Sequence, residues 1–376
     1  MFERLHAMLV KEFIQVFRDP RMRFVLFVVP AVQTVIFGYA VNTDVREVAT
    51  AVYDLDNSAE SRELAARFAS SGYFRIRERL GEDQRVRELL DRGEVKAVLR
   101  FNPGFGGELR AGRATQVQLL LDGTDSNTAS IVLSYAAKII AQANEELLLD
   151  RLARRSGRPP RLGSVALVSR AWFNDNLESR NYYVPAVIAN LVFITTMVLS
   201  SMSVVREKEI GTMEQVIVTP IRKVEFILGK TLPFALIGFA NVALISSVAV
   251  FWFEVPIRGS LPLLFGGTAL FLLSSLGIGL LVSTVSRTQQ QALMSAFFVI
   301  FPAMLLSGFA FPIENMPLPV QWLTLANPLR HYLVIIRGIF LKGVGSAILW
   351  PQLAALALLG VAILAIAVAR FRKSLA

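Results

Sequence analysis

The sequence predicts an α-helical polytopic membrane protein with six transmembrane helices and a mixed α/β extracytoplasmic domain inserted between the first and second spans. The chain is 54% hydrophobic and has a mean hydropathy of +0.51, which is too apolar for an ordinary soluble protein. A spanning helix needs about 20 mostly apolar residues. Six runs meet that length: 22–41, 183–205, 226–252, 262–284, 291–311 and 347–369.

The first 21 residues predict an amphipathic helix in the cytoplasmic interface, because apolar residues recur at helical spacing among charged ones. The alternative is a cytoplasmic extension of the first span. The apolar run 22–41 resembles a signal peptide, but about 20 residues precede it and it is long enough to span. We therefore expect a retained first transmembrane helix.

The distribution of positive charge predicts the orientation. The net charge of +10 does not indicate nucleic-acid binding, because residues 42–181 are nearly neutral and the excess flanks the apolar runs. With the N-terminus inside, most basic residues outside 42–181 fall in inner segments, and only Arg258, Arg330, Arg337 and Lys342 fall outside. The positive-inside rule then places both termini in the cytoplasm.

Residues 42–181 form the predicted extracytoplasmic (periplasmic) domain, in which strand and helix signals alternate. Strands are expected at VATAVYD (48–54), YFRIR (73–77), EVKAVLRF (94–101) and ATQVQLLLD (114–122), and helices at 58–70, 82–92 and 125–155. Residues 182–376 form the predicted five-span membrane domain. Within it, 312–346 is too polar to span and suggests an outer interfacial helix region.

The segment 206–222 begins REKEIGTMEQVIVTP and separates two apolar runs. Thr212 and Gln215 have the spacing of a capping box, and Glu214 near a helix start favours the helix macrodipole. Gly211 permits a sharp turn before this helix, and Pro220 prevents its continuation and restricts Thr219. The pattern predicts a short cytoplasmic docking helix. A solvated loop is the alternative.

Two segments resemble nucleotide-binding motifs, but each lacks a glycine that the motif requires. Gly229-Lys230-Thr231 resembles the end of a phosphate-binding loop, but Val224 stands where that loop requires glycine. The run 101–112 has leucine where a dinucleotide fingerprint needs its third glycine. The chain has no cysteine and only two histidines. We therefore expect no enzyme activity, no metal site and no cofactor on this chain.

Few charged residues lie within the predicted spans, which argues against an ion-driven carrier. Hydroxyl groups there, including those of Thr195, Thr196 and Ser200, are candidates for contact with a substrate. Helix packing is the more common role of such residues.

Several segments resemble the type-2 ABC exporter permeases, in particular the drug-efflux branch. REKEIGTMEQVIVTPIRKVEFILGK is similar to the first cytoplasmic loop of that family, where a Glu-rich stretch and GT-x-E lead into a coupling helix. The resemblance continues over nearly the whole chain: VYDLDNSAESREL, LLLDGTDSNTAS, WFNDNLESRNYYVPA, LLSGFAFPIENMP and NPLRHYLVIIRGIF.

The resemblance implies a membrane subunit that exports a hydrophobic or amphipathic substrate, such as a drug or lipid, from a bacterial inner membrane. It implies a dimer with a second copy or a close homologue, and a separate cytoplasmic ATPase that holds ATP and Mg. By this resemblance, the residues expected to couple the chain to the ATPase are Arg206, Glu207, Glu209, Gly211, Thr212, Glu214, Gln215, Thr219 and Pro220.

The second and fifth spans would line the substrate route, which adds Ser307, Gly308 and Phe309 near the exit. A helix-breaking turn is the alternative for these three residues. The resemblance also suggests contact with lipid and with a periplasmic adaptor. A membrane sensor with an outer α/β domain is a competing function, although it does not explain five further spans. A membrane enzyme acting on lipid would need clustered ionisable residues that the sequence does not offer.

Overall fold

The computed structural model describes residues 2–40, 45, 47–156, 172–174, 178–212 and 222–370. The chain divides into two compact units, one formed by Met1–Asn42 with Arg170–Ala376 and the other by Thr43–Ser169. We call the first the helical unit and the second the α/β unit. Residues 42–181 were predicted to form an outer domain, and the location of that domain outside the membrane stays a prediction.

The helical unit begins with α1 (Phe2–Arg18), which confirms the helix expected near the N-terminus. Helix α2 (Pro20–Arg23), a π-helical turn (Phe24–Val28) and α3 (Val29–Ala40) follow. Asp19 separates α1 from α2, and Pro20 suits the first position of the new helix because its missing amide would lack an intrahelical partner there. Helix α1 is therefore a separate element from the first apolar run.

The α/β unit contains every strand and helix that the sequence predicts in 48–156. Its elements in chain order are β1 (Val48–Asp54), α4 (Ala59–Ser70), β2 (Phe74–Leu80), α5 (Asp83–Asp91), β3 (Ala97–Phe101), α6 (Phe105–Arg110), β4 (Val117–Leu121) and α7 (Ser126–Ser156).

The four strands form one sheet in the order β2-β1-β3-β4. Strand β1 is parallel to β2 and β3, whereas β4 is antiparallel to β3. Successive side chains of a strand point to opposite faces, so Val52 packs with α4 and α7 residues while Ala51 and Tyr53 pack with α5. Both faces of the sheet are therefore covered by helices.

Asp56 ties the β1–α4 turn to the start of α6. Its carboxylate accepts hydrogen bonds from the backbone amides of Gly104 (2.7 Å) and Gly106 (2.8 Å). A hydrogen bond from Ser58 and these amide bonds hold the pKa of Asp56 below its usual value. The ionised form therefore stabilises the folded unit above the unfolded-state pKa of about 3.9, and this contribution is lost as the pH falls through the lower folded-state pKa.

We expect Asp56→Asn to destabilise the α/β unit by roughly 1 kcal/mol at pH 7, because charge-assisted bonds are stronger than neutral ones. Hydrogen-exchange mass spectrometry of the full chain should show faster exchange at 101–107. The difference from the native protein should disappear as the pH falls to values at which Asp56 is protonated in both states. Asp91→Asn, at an exposed position of α5, is the matched control. Equal exchange in the two variants at pH 7 would contradict the role of Asp56.

The rest of the helical unit is built from longer helices. They are α8 (Ser179–Ile210), α9 (Lys223–Phe251), α10 (Leu261–Val285), α11 (Gln289–Leu305), α12 (Leu318–Leu323), α13 (Pro328–Arg337) and α14 (Ser346–Arg370). Short 3₁₀ turns lie at Ile313–Asn315 and Thr324–Ala326, and a π-helical turn (Gly338–Lys342) follows α13.

Four of these helices, α8, α9, α10 and α14, are long and apolar enough to cross a membrane. Phe24–Ala40 and α11 are shorter apolar helices at the places of the first and fifth predicted spans. The prediction of a helical, membrane-type chain with a small mixed sheet is confirmed. The number of six crossings stays a prediction.

Helices α8 and α10 pack closely through small and hydroxylated residues. The hydroxyls of Thr196 and Ser275 lie 2.8 Å apart, and Ser200 donates to the Leu276 carbonyl at 2.7 Å. A Cβ atom built on Gly279 would lie only 2.6 Å from the Ser200 Cβ. Small residues of this kind let helix backbones approach each other in membrane proteins.

Helix α13 lies in the region predicted to form an outer interfacial helix. Its apolar face packs into the core of the helical unit, where Tyr332 stacks on Phe271 at a centroid distance of 4.2 Å. The Tyr332 hydroxyl lies 2.8 Å from that of Thr268 in α10. The amphipathic pattern therefore reflects burial against neighbouring helices. The position of α13 relative to a membrane surface stays a prediction.

Candidate functional site

The site predicted for ATPase coupling begins at the end of α8. Gly211 ends this helix with a φ of +83°, a left-handed conformation that glycine adopts without steric cost. The sharp turn expected at Gly211 is confirmed. Residues 213–221 lie outside the described residues, so the roles of Glu214, Gln215, Thr219 and Pro220 stay predictions.

Both ends of this segment are attached to the helices beside it. On the α8 side, the Thr212 hydroxyl donates a hydrogen bond to the Glu207 carboxylate. On the α9 side, the backbone amide of Arg222 donates to the Glu225 carboxylate at 3.0 Å. Thr212 and Arg222, the described residues on either side of this segment, are thus hydrogen-bonded to side chains of α8 and α9.

Four charged side chains from three helices meet beside Thr212, and we call them the junction cluster: Lys11, Glu12, Glu207 and Lys230. The Lys230 ammonium donates to Glu12 Oε1 at 2.6 Å and to Glu207 Oε1 at 2.7 Å. Lys11 donates to the same Glu207 oxygen at 3.0 Å. Glu12, Glu207 and Lys230 are each at most 5% exposed.

The cluster is electrically balanced, since two ammonium groups meet two carboxylates. Removing charges from water costs several kcal/mol per ion, and only close opposite charges and hydrogen bonds repay that cost. The three buried members, Glu12, Glu207 and Lys230, therefore depend on one another. The cluster joins α1 to the end of α8 and to the first half of α9, so these three helices are coupled at one point.

The opposite side of the α8 terminus is attached to α10 and α11. The Lys208 ammonium donates to the Thr284 carbonyl at 2.8 Å. The Glu209 carboxylate accepts from the backbone amide and the side chain of Gln289, at 3.1 and 2.8 Å. Residues 207–209 thus connect the end of α8 to four neighbouring helices.

An open groove of about 750 Å³ lies between α1 and the α8 terminus. Its lining includes Val10, Ile14 and Ile210 beside Glu207 and Thr212. Arg206 lines a smaller cavity of about 250 Å³ together with Glu12 and Lys230. Arg206, Glu207, Glu209, Gly211 and Thr212 are therefore brought together at one end of α8.

Glu12 and Lys230 were not among the predicted site residues, and the spans were expected to hold almost no charge. The structure places Lys230 inside α9 and pairs it with Glu12 of α1. A signal for Glu12 was present, because it stands four residues from both Met8 and Val16 on the buried face of an amphipathic helix. A carboxylate at such a position needs a cationic partner.

The residues predicted for a substrate route take part in local and interhelical bonds. Thr195 bonds the Leu191 carbonyl of its own helix at 2.7 Å, and Thr196 and Ser200 bond α10 as described above. Ser307 donates to the Met304 carbonyl and accepts from the Phe309 amide, and Gly308 has a φ of +83°. These contacts agree with the packing and turn alternatives. The route itself stays a prediction.

Gly229, Lys230 and Thr231 lie within α9, and Thr231 bonds the Ile227 carbonyl at 2.9 Å. This tripeptide is a helical segment and not a phosphate-binding loop. His331 contacts the side chain of Gln352 and the Leu325 carbonyl. The described residues contain no group of three or more metal-ligating side chains.

Comparison with known proteins agrees with this architecture. The profile of the ABC-2 family transporter protein matches residues 21–369. The "Probable multidrug ABC transporter permease YbhR" of Escherichia coli (strain K12) is 34% identical over 353 residues, which cover 94% of each chain. YbhS of the same strain, with the same descriptive name, is 30% identical over 91% of this chain and 89% of its own.

The "Inner membrane transport permease YhhJ" of the same strain is 30% identical over 330 residues, covering 86% of this chain and 85% of its own. These relatives are transport permeases, which favours the permease hypothesis over a sensor. The family match extends across the N-terminal apolar run, the α/β unit and helices α8 and α9, which carry Glu207 and Lys230, and it begins after α1. The chain therefore belongs to the ABC-2 family of transporter proteins and is a multi-pass membrane protein.

Proposed function

We propose that this chain is the permease subunit of an ATP-driven exporter in a bacterial inner membrane, with both termini in the cytoplasm. Two such subunits, identical or closely homologous, would form the pathway. A separate cytoplasmic ATPase would bind ATP and Mg. The cargo would be a hydrophobic or amphipathic molecule moved outward, consistent with the names of the relatives and with the apolar character of the helices.

The observation that carries this proposal is the junction cluster at the end of α8. An ATPase docked on the segment after Gly211 would move Thr212, which is bonded to Glu207. Glu207 is in turn bonded to Lys11 and Lys230. Movement would therefore pass to α1 and α9 together, and Glu209 would carry it to α11. A buried ion cluster transmits such movement because separating its charges is costly.

Two further parts of the proposal extend beyond the cluster. The predicted outer position of the α/β unit suits contact with a periplasmic adaptor that continues the conduit. The helices α8 and α11, with Ser307 at the end of the latter, would border the substrate route. The family match and the apolar helices support the membrane setting of both parts.

We expect Glu214→Lys to leave the protein folded and inserted but to release the ATPase, because the change puts a cation at a predicted helix N-terminus. The measurement is affinity purification of the tagged chain in mild detergent, followed by mass spectrometry of the copurified proteins. A P-loop ATPase should accompany the native chain and be depleted about tenfold in the variant.

Glu314→Lys provides the matched control, since it makes the same charge change at an exposed position of the predicted outer segment. That variant should retain the ATPase. Equal recovery of the ATPase with both variants would argue against docking at 213–221. If an intact native chain copurifies with no ATPase, the exporter proposal itself fails.

A further inference from the structure

Arg337, the last residue of α13, is held in a fixed orientation by two other segments of the helical unit. Its guanidinium carbon lies 3.8 Å from the ring centroid of Tyr182 in α8, within the range of a cation–π interaction. Its Nη1 donates to the Gly308 carbonyl at 3.3 Å. The ring covers one face of the guanidinium group and the carbonyl holds one end, so the plane of the group is defined.

The remaining edge of this guanidinium group meets no hydrogen-bond acceptor among the residues that the structure describes. Nε and Nη2 are buried from solvent and make no hydrogen bond within the described part of the chain. These two nitrogens form the edge with which arginine binds a carboxylate or phosphate side-on through two parallel bonds. By contrast, the charged groups of Glu12, Glu207 and Lys230 form ion pairs with one another within the junction cluster.

A buried cation without a partner is costly, and proteins retain such groups mainly where a ligand or another group completes them. Nε and Nη2 are themselves covered, but the group lies near the protein surface, because Tyr182 is 40% exposed and Arg337 is partly exposed as a whole. A ligand would reach these two nitrogens by displacing a neighbouring side chain. Exposed apolar side chains flank Gly308 along the chain, with Leu305 at 50% and Phe311 at 61%. An oriented cation next to apolar surface suits a molecule with an anionic head and a hydrocarbon body.

We propose that Arg337 binds the oxyanion head group, carboxylate or phosphate, of an amphipathic molecule through Nε and Nη2. Tyr182 and the Gly308 carbonyl position the guanidinium group for this contact. The same chemistry occurs in a free amphiphile and in a membrane phospholipid. Export of this molecule as the cargo rests on the proposed function. Its binding to Arg337 does not depend on that function.

The test uses the full chain in dodecyl maltoside micelles, which carry no charge. The probe is dodecyl phosphate with a diazirine near the head group, and labelled peptides are identified by mass spectrometry after irradiation. We expect labelling within 179–186 and 305–311 that saturates and is displaced by unlabelled dodecyl phosphate. The equivalent dodecyltrimethylammonium probe should not show saturable labelling there.

Arg337→Gln should weaken this saturable labelling about tenfold, because it removes the charge and the two-bond edge. Arg330→Gln is the control on the same helix, since Arg330 is also partly exposed but already bonds the Gln321 carbonyl and the Thr324 hydroxyl. That variant should label like the native chain. Arg337→Lys keeps the charge without the planar edge and should give an intermediate loss, which preserves the test if Arg337→Gln does not fold.

Competition with phosphatidylglycerol distinguishes the two sources. Displacement of the probe by this lipid assigns the site to a membrane head group, and lack of displacement assigns it to a free amphiphile.

Equal labelling of the native, Arg337→Gln and Arg337→Lys chains overturns the proposal. The proposal is also overturned if no chain shows saturable labelling and the Arg337→Gln chain no longer forms a dimer. That result would assign Nε and Nη2 to a carboxylate of a second copy. None of these readouts requires ATPase copurification, so binding can fail while the exporter proposal stands.

Discussion

Replacing Lys230 with methionine is expected to destabilise the helical unit by about 3–5 kcal/mol, the cost of removing one partner from a buried ion pair. Lys230 is 3% exposed and forms ion pairs with both Glu12 and Glu207. Without its ammonium group, two buried carboxylates face each other. Lys11 reaches Glu207 only, and its side chain is 54% exposed.

The measurement is the fraction of monodisperse protein that remains after heating, determined by fluorescence-detected size-exclusion chromatography of the detergent-solubilised chain. Lys223→Met is the matched control, because Lys223 begins the same helix and is exposed. It should change the midpoint of thermal unfolding little. A Lys230→Met chain that unfolds at the same temperature as Lys223→Met would show that the junction cluster contributes no stability.

A second variant separates the loss of charge from the loss of packing. Adding Glu12→Gln to Lys230→Met removes the carboxylate that has lost its described partner and leaves Glu207 paired with Lys11. The double variant should therefore recover part of the lost thermal stability, since contacting residues are energetically coupled. If the double variant is less stable than Lys230→Met alone, the two carboxylates do not repel each other in the way proposed.

Gly279→Ala is expected to destabilise the contact between α8 and α10 by about 1–3 kcal/mol, the range for overpacking a tightly packed site. The added Cβ would lie 2.6 Å from the Ser200 Cβ and 2.9 Å from the Met197 carbonyl oxygen. Neither atom belongs to the flexible end of a long side chain. The two helices would have to separate, which would also strain the bond from Ser200 to the Leu276 carbonyl.

Gly266→Ala tests the same substitution in the same helix, at a position where an added Cβ meets nothing within 4 Å. Alanine there should be neutral or stabilising, because glycine is the poorer helix former. The thermal unfolding midpoint of each purified chain provides the comparison. Similar midpoints for the two alanine variants would show that the close approach at Gly279 does not limit stability.

Local structure was predictable wherever short-range patterns decide it. The strand at 48–54 was expected with the same limits as in the structure, because a run of strand-forming residues precedes DNSAES, a turn and helix start. The turn at Gly211 was expected because glycine permits a sharp turn before the short helix predicted after it. The long helix at 126–156 also follows from its pattern and from the prolines that come after it.

The candidate site was only partly predictable, because its contacts join residues far apart in the chain. Lys230 and Glu12 are separated by 218 positions, and no local pattern states that a lysine in one apolar helix meets a glutamate in another. The same holds for Arg337, whose partners Tyr182 and Gly308 lie in separate segments. In the sequence, Lys230 and Arg337 contributed only to the predicted orientation of the chain, apart from the appearance of Lys230 in the rejected phosphate-loop motif.

Hydropathy and local periodicity were therefore enough to establish a helical membrane chain with a mixed α/β unit, since both depend on neighbouring residues. Motif resemblance was enough to indicate the family. Only the tertiary structure decided which polar groups are buried and how they are paired. The energy of a buried charge depends on what surrounds it in space, and for Glu207, Lys230 and Arg337 those surroundings come from helices that the sequence does not place side by side.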